Sequence, residues 1–368
     1  MNCFLLSAPY QVLSALEAIH HLHLDDNHLY IVDTGHFTRA QFDSVIEPER
    51  WASVSFHDFR YIMPDKDYGA HPPKNLKERL EELWLVFDQA VKRQRANRMA
   101  RAIGPVDNLV VGNYRRAYDR HMRHLVNRLE FSKLYVLDVG TDTLRINRDR
   151  HLDKAGDAGA AVSLPPASVL QLFKRWIRSR LVDWDTRGVD ALIFFTTYEL
   201  DLAPGDATIR NDYAYLKSVV ADAHPSDKVL FIGQPLVDQS YLSRADFAGL
   251  MGRVKTFFAG HELVYVMHPR ESASQLQVIR ELGIPIECFT APFEYAVSFS
   301  GERPRGIATF FSSAIENSAT IFGDALKLWA FRLPNSLLLK DQDNISKVYA
   351  QFAARRTTPI EVVDVLER

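Results

Sequence analysis

Strand-like apolar runs alternate with helical patterns along nearly the whole of this 368-residue chain, and that alternation confines it to parallel α/β layers. Residues 2 to 6 read as a first strand. Pro9 then opens a helix with Val12, Leu13, Leu16, Ile19 and His20 on one face, because proline is tolerated in a first turn. A second strand at 28 to 32 follows at the distance of a βαβ unit. Residues 75 to 103 predict a long charged helix, 109 to 112 a short strand, 115 to 128 another helix, and 133 to 137 the strand that delivers Asp138. From about Asp149 to Pro166 the composition turns to Gly, Ala, Asp and Pro, which marks a loop or linker. The second half is expected to start its own sheet with 191 to 195. It continues with strands at 228 to 232, 263 to 267, 286 to 289 and 306 to 311. Helices near 208 to 222, 244 to 259, 272 to 282 and 315 to 324 lie between them.

Length supports the same division, since a single core rarely grows beyond about 250–300 residues. The expected organisation is a Rossmann-like domain over 1–155, a linker and helix over 156–189, and a second Rossmann-like domain over 190–334. Helices over 335–368 are expected to pack back across the domains. A formal net charge of -2 argues against a dedicated nucleic-acid binder, and 47% apolar residues argue against disorder. The two cysteines, Cys3 and Cys288, both lie in apolar runs, which suits a reducing compartment. The opening residues lack a basic lead and are read as a first strand, not a leader. No run approaches the ~20 apolar residues of a membrane span. Cytoplasm is therefore the expected location.

Chemistry-bearing residues stand where strands end. In open α/β sheets ligands bind outside the carboxyl ends of the strands. Leu134-Tyr-Val-Leu-Asp-Val-Gly140 ends an apolar run in an acid and a glycine, and Val264-Tyr-Val-Met-His-Pro269 ends one in His-Pro. His268 precedes a proline, which biases it to extended backbone. Its ring can donate to a phosphate oxygen, although a histidine on an apolar strand also serves structurally. Gly233-Gln234-Pro235 follows a third strand, as a ligand loop or a plain turn. Thr309-Phe-Phe-Ser-Ser-Ala-Ile-Glu-Asn317 runs a strand into two serines and a helix. Ser312 and Ser313 there suit an anion, while Ser313 with Glu316 also spells a capping box that needs no ligand.

These motifs, in this order, resemble the bacterial GT-B sialyltransferases of glycosyltransferase family 52, the lipooligosaccharide sialyltransferases, and more distantly the bacterial polysialyltransferases. The family's acidic-acidic-Gly motif corresponds to Asp138-Val139-Gly140, its His-Pro motif to His268-Pro269 and its Ser-Ser/Thr motif to Ser312-Ser313. Ser7-Ala-Pro-Tyr-Gln11, Gly112-Asn113 and Phe231-Ile-Gly-Gln-Pro-Leu236 extend the resemblance over nearly the whole chain. One position departs from it: Val139 stands where the family carries a second acid, and Asp142, four residues after Asp138, reads as a turn or helix-capping residue or as a substitute acid.

The resemblance implies an α/β, GT-B-like fold, two Rossmann-like doubly wound domains facing a central cleft. It implies inverting, metal-independent transfer of sialic acid from CMP-sialic acid to a glycan hydroxyl of lipooligosaccharide or capsule type. Asp138 would be the base and His268 the phosphate partner. Nucleotide contacts would come from Gly233, Gln234, His268, Pro269, Glu294, Ser312 and Ser313, with Gln11 and Asn113 on the acceptor side. Glu294 is placed to accept from the CMP ribose, or is a plain loop glutamate. The donor is a substrate, so no cofactor is implied. CMP-Kdo or another nucleotide sugar as donor, and a nucleotide-sugar hydrolase or epimerase, remain alternatives.

Two Asp-x-Asp triplets, 183–185 and 341–343, lie away from strand ends and are not expected to hold metal. His20 and His23 lack a third ligand nearby. Basic stretches at 92–101 and 173–180 raise a peripheral contact with anionic lipid on the inner membrane face, against the alternative of solvated helix faces. A homodimer stays open as well.

Overall fold

The computed structural model describes residues 1–60, 75–116, 118–155 and 183–364. By internal contacts the chain forms two units, Met1–Asn211 and Asp212–Arg368. Each is built on its own parallel, doubly wound sheet, so the chain carries the tandem Rossmann-like units of a GT-B-like α/β fold.

Among its described residues the first unit has seven strands: β1 Asn2–Leu6, β2 Asn27–Asp33, β3 Ser53–Asp58, β4 Val106–Val111, β5 Phe131–Leu137, β6 Ile193–Thr196 and β7 Ala207–Arg210. Their spatial order is 3-2-1-4-5-6-7, all parallel. β1 is wholly buried between β2 and β4, which is why it reads as a continuous apolar run with no polar alternation. Among the described residues the helices of this unit are α1 Pro9–Leu22, α2 Arg39–Asp43, α3 Leu76–Ile103, α4 Arg120–Val126 and α5 Thr141–Lys154. One core joins Cys3, Leu5, Leu109 and Val136 of the sheet to Met99 of α3 and Leu125 of α4.

In the second unit, β9 Lys228–Ile232, β10 Glu262–Val266, β11 Ile286–Glu287, β13 Gly306–Thr309, β14 Lys327–Arg332 and β15 Glu361–Asp364 form the main sheet. Their order is 11-10-9-13-14-15. Short strands β8 His224–Pro225 and β12 Glu302–Arg303 pair separately. The helices are α6 Ala214–Val220, α7 Arg244–Phe257, α8 Ala273–Glu281, α9 Phe293–Ser298, α10 Ala314–Phe322 and α11 Gln342–Ala354. Phe231 anchors the core here, stacked on Tyr265 at 5.7 Å and edge-on to Phe310 at 5.1 Å.

Four expectations change. The strand expected to open the second sheet pairs instead with β5, through Val136 to Phe194, and belongs to the first. Residues 208–210, expected at the start of a helix, belong to strand β7 of that same sheet. Residues 149–154, expected at the start of a loop, are the end of α5, which runs to Lys154, and the expected loop from 156 onward lies outside the described residues. The fully buried Arg150 of that helix grips Asp206 with two bonds, 2.9 and 2.7 Å, and Asp206 also accepts from the Leu192 backbone at 3.2 Å. That clamp ties β6 and β7 to the first unit. Finally, the last residues are not all helix: α11 leads into β15, which pairs in parallel with β14 at the edge of the second sheet.

Of the two basic stretches, 173–180 lies outside the described residues. In the other, Lys92 is buried, bonded to Asp88 at 2.6 Å and to the Arg60 carbonyl, so it faces inward. Among the described residues no helix is long and apolar enough to cross a membrane.

Candidate active site

In both sheets the strand order reverses once, between β1 and β4 in the first and between β9 and β13 in the second, and ligands bind at such switch points. The residues leaving those four strands, and those leaving the strands beside them, make up the candidate site of each unit.

At the first switch point β1 ends in Ser7 and β4 in Gly112-Asn113. Gln11 sits in the first turn of α1, and its Oε1 accepts from the backbone N–H groups of Ser7 at 2.7 Å and Ala8 at 3.2 Å. Its Nε2 donates to Asn113 Oδ1 at 3.0 Å, and Asn113 Nδ2 donates back to Ser7 Oγ at 2.7 Å. The two expected acceptor-side residues thus form a closed bridge across the reversal. Gly112 is required by it, since a Cβ there would stand 2.1 Å from Gln11 Oε1.

Asp138 lies one strand further on, at the end of β5. Its Oδ1 accepts from Gly140 N–H at 2.9 Å and Thr143 Oγ at 3.0 Å. Its Oδ2 accepts from Thr196 Oγ at 2.9 Å and from the N–H and hydroxyl of Thr197, both at 3.0 Å. A carboxylate offers about four lone-pair positions, and five donors fill them. The expected base is therefore also the clasp that joins the β5 loop to the β6 loop, and taking a proton would displace a donor. Val139, which stands in place of the motif's second acid, is buried in the first core, so a carboxylate at that position would be buried too. Asp142, the substitute, accepts from Arg115 at 3.3 Å and Arg145 at 2.9 Å.

At the second switch point the pattern recurs with another glutamine. Gln234, just past β9, accepts on Oε1 from Thr309 Oγ1 at 3.2 Å and from Phe311 N–H at 3.0 Å, both at the end of β13. Its carbonyl accepts from Gln275 Nε2 at 2.7 Å. Gln275 also bonds Glu271, which takes the His268 N–H at 2.6 Å and the Tyr265 hydroxyl at 2.5 Å. One hydrogen-bonded chain thus links the expected residues His268 and Gln234 to the loop that carries Ser312. Gly233 serves this network directly, because a Cβ on it would meet Glu271 Oε2 at 2.7 Å.

His268 Nδ1 accepts from the Arg270 backbone N–H at 3.1 Å. That bond assigns the neutral ring's proton to Nε2, which becomes a donor. Burial, and then the nearby Arg270 charge, lower the His268 pKa and favour the neutral ring. Glu271 is raised by burial, against the bonds it accepts.

The Ser-Ser loop departs from its bland reading. Ser313 occupies the N-cap of α10 with helical backbone, φ -64 and ψ -18, and its side chain makes no capping bond. A capping serine needs extended backbone to turn its hydroxyl onto the first turn. Glu316, the other half of the predicted box, accepts instead from Gln351 at 2.9 Å. Ser312 Oγ accepts only a long 3.4 Å bond from Ala314 N–H among the described residues. Both hydroxyls are thus left weakly engaged beside a helix start. Glu294 lies in the first turn of α9, bonded by Asn317 of α10 at 2.7 Å, and burial raises its pKa. Pro269 lies in the loop that follows β10, three residues past its end at Val266.

Glu271 and Gln275 escaped the sequence reading. Gln275 left a signal: it sits with Leu276 and Ile279 on the buried face of α8, where a polar side chain needs a partner. Among the described residues no three His, Cys, Asp or Glu side chains cluster as metal ligands. In the Asp183 triplet the Asp185 carboxylate is held by Arg187 at 2.9 and 2.8 Å.

No protein-family model matches the chain, and no curated protein matches its sequence. Solved structures resemble it in fold. Arabidopsis thaliana UGT89C1 complexed with UDP aligns over 99% of this chain and 85% of its own, at 12% identity and a TM-score of 0.45. Acinetobacter baumannii MurG aligns over 99% and 86%, at 12% identity and 0.41. E. coli heptosyltransferase WaaC with ADP aligns over 96% and 98%, at 10% identity and 0.40. Identities and scores this low leave the functional reading to the residues.

Proposed function

We propose that the chain is an inverting, metal-independent glycosyltransferase that moves sialic acid from CMP-sialic acid to a hydroxyl of a glycan acceptor. The observation that carries this reading is the carboxyl edge of the second sheet. There a neutral His268 offers its Nε2–H, Ser313 offers a hydroxyl that makes no capping bond, and Ser312 offers one engaged, among the described residues, only by the long bond from Ala314 N–H. Neutral donors beside a helix start suit a phosphate that gains charge as its bond to sugar breaks. The Gln234, Gln275 and Glu271 network keeps these loops fixed, so little rearrangement is needed when charge develops. Gly233 and Gln234 act in this reading as the frame of the nucleotide site, with Glu294 toward the ribose. The first edge, with Gln11 and Asn113, holds the acceptor. As the acceptor oxygen attacks the anomeric carbon, the bond from that carbon to the CMP phosphate breaks, its electron pair leaves on the phosphate, and a carboxylate of the first edge takes the proton.

Incubation with CMP-sialic acid, with and without a galactose-terminated acceptor, tests the reading. A sialylated product supports it. Release of CMP without acceptor indicates a hydrolase, and transfer only from CMP-Kdo shifts the donor sugar. Absence of any thermal stabilisation by CMP overturns the nucleotide site itself.

A further inference from the structure

We propose that Asp119 is the general base of the first unit, the carboxylate that removes the proton from the attacking hydroxyl, and that Asp138 is the clasp that shapes the neighbouring loops. The assignment rests on the glycosyltransferase reading above and names the acid-base residue within it. Three observations support it.

The first is position. Asp119 lies on the loop that leaves β4, one of the two strands at which the first sheet reverses. Asp138 leaves β5, one strand away. The second is availability. Asp119 uses Oδ2 to accept the Arg115 N–H at 2.7 Å, which pins the carboxylate. Its Oδ1 has no hydrogen-bond partner among the described residues, whereas both Asp138 oxygens are filled several times over. Although Asp119 precedes α4, its side chain makes no capping bond there, so helix capping does not explain the residue.

The third is surroundings. Tyr10, at the start of α1 and 38% exposed, feels the charges of both Asp142 and Asp119, so a partly exposed aromatic ring stands near the carboxylate. Burial pushes the Asp119 carboxyl up to about 6, with the Asp142 charge on α5 adding to it. The Arg115 N–H and guanidinium of its own loop, and Arg123 of α4, oppose the rise. A carboxylate so placed is basic enough to accept a proton and is ionised at neutral pH.

In the step itself the acceptor oxygen forms its bond to the anomeric carbon as the sugar–phosphate bond breaks onto CMP. The acceptor proton passes to Asp119 Oδ1 and is later released to solvent.

Initial rates of transfer from CMP-sialic acid, measured from pH 5 to 8 for the wild type and Asp119→Asn, test the assignment beside thermal stabilisation by CMP. The wild-type kcat/KM should fall on the acid side with an apparent pKa near 6. Asp119→Asn, which keeps an acceptor for the Arg115 N–H, should lose at least about 100-fold in kcat. It should keep CMP stabilisation, and its residual activity should no longer show the acid limb. Asp119→Glu, which moves the carboxylate by one methylene, should lose kcat but retain an acid limb. Asp119→Asn within threefold of wild type, or with the limb intact, overturns the assignment. A wild-type profile flat between pH 5 and 7 overturns it without any variant. A wild type that transfers while Asp119→Asn keeps pace removes only this assignment; a wild type that neither binds CMP nor transfers removes the functional reading beneath it.

Discussion

Replacing Asp138 with asparagine separates a base from a clasp, because the two roles predict opposite effects on stability. Asparagine presents one oxygen and one NH2 group where the carboxylate presented two oxygens to five donors. The less costly orientation keeps the oxygen on Thr196 and Thr197 and turns the NH2 toward Gly140 and Thr143. The Thr143 hydroxyl can rotate to accept, but the Gly140 N–H cannot. Losing that bond costs about 1–2 kcal/mol with Gly140 at the surface, and the three remaining bonds lose charge assistance worth roughly 1 kcal/mol in total. The expected loss is about 2–3 kcal/mol. For a unit the size of Met1–Asn211, each kcal/mol lowers the melting temperature by about 2–4 °C, so thermal unfolding followed by circular dichroism should show a drop of about 4–12 °C. An exposed catalytic base with no structural duty would leave the melting temperature unchanged or raise it. A melting temperature within 1 °C of wild type, with transfer abolished, would refute the clasp and return the proton transfer to Asp138.

Asp119→Asn should stabilise the protein at neutral pH. Its carboxyl is raised from 3.8 to about 6, so the folded state binds a proton more tightly than the unfolded chain, and stability from this group is full below pH 4 and lost as pH rises through 6. Removing the charge should recover about 1–3 kcal/mol at pH 7.5 and nothing at pH 4, as paired urea titrations would show; equal gains at both values would contradict the linkage. His268→Ala should weaken CMP binding about 10- to 100-fold by calorimetry, the loss of one charge-assisted bond to phosphate, and an unchanged Kd would count against the donor. Gly112→Ala should cost about 1–3 kcal/mol through the collision with Gln11, and most of that cost should vanish in a Gln11→Ala background. Strictly additive costs would show that the bridge is not what demands the glycine.

Much of the architecture was legible locally. Buried parallel strands such as β1 and β9 read as apolar runs because both faces are covered, and α1 reads from its periodicity and from Pro9 at its start. The edges were harder. β3 has no fully buried residue, and β7 is four residues long and largely exposed, so neither displays an apolar signature. Which sheet β6 joins was not readable at all, since that rests on a clamp between Arg150 and Asp206, 56 residues apart.

The site divides in the same way. The sequence by itself determined that an acid, a histidine and a serine pair follow strands, because a strand end is a local property of the chain. Only the tertiary structure decided what each is free to do. Asp138 is occupied by threonines from another strand, Ser313 is released from its capping box by its backbone, and His268 is held in one tautomer within a network that runs through Glu271 and Gln275. Asp119 drew no notice in the sequence, being a lone acid on an arginine-rich loop. Its environment comes from burial and from α1 and α5, elements that the chain brings beside it only on folding. Hydrogen-bond capacity and desolvation are set by neighbours distant in sequence, so the pattern of residues can name the candidates while the fold assigns their chemistry.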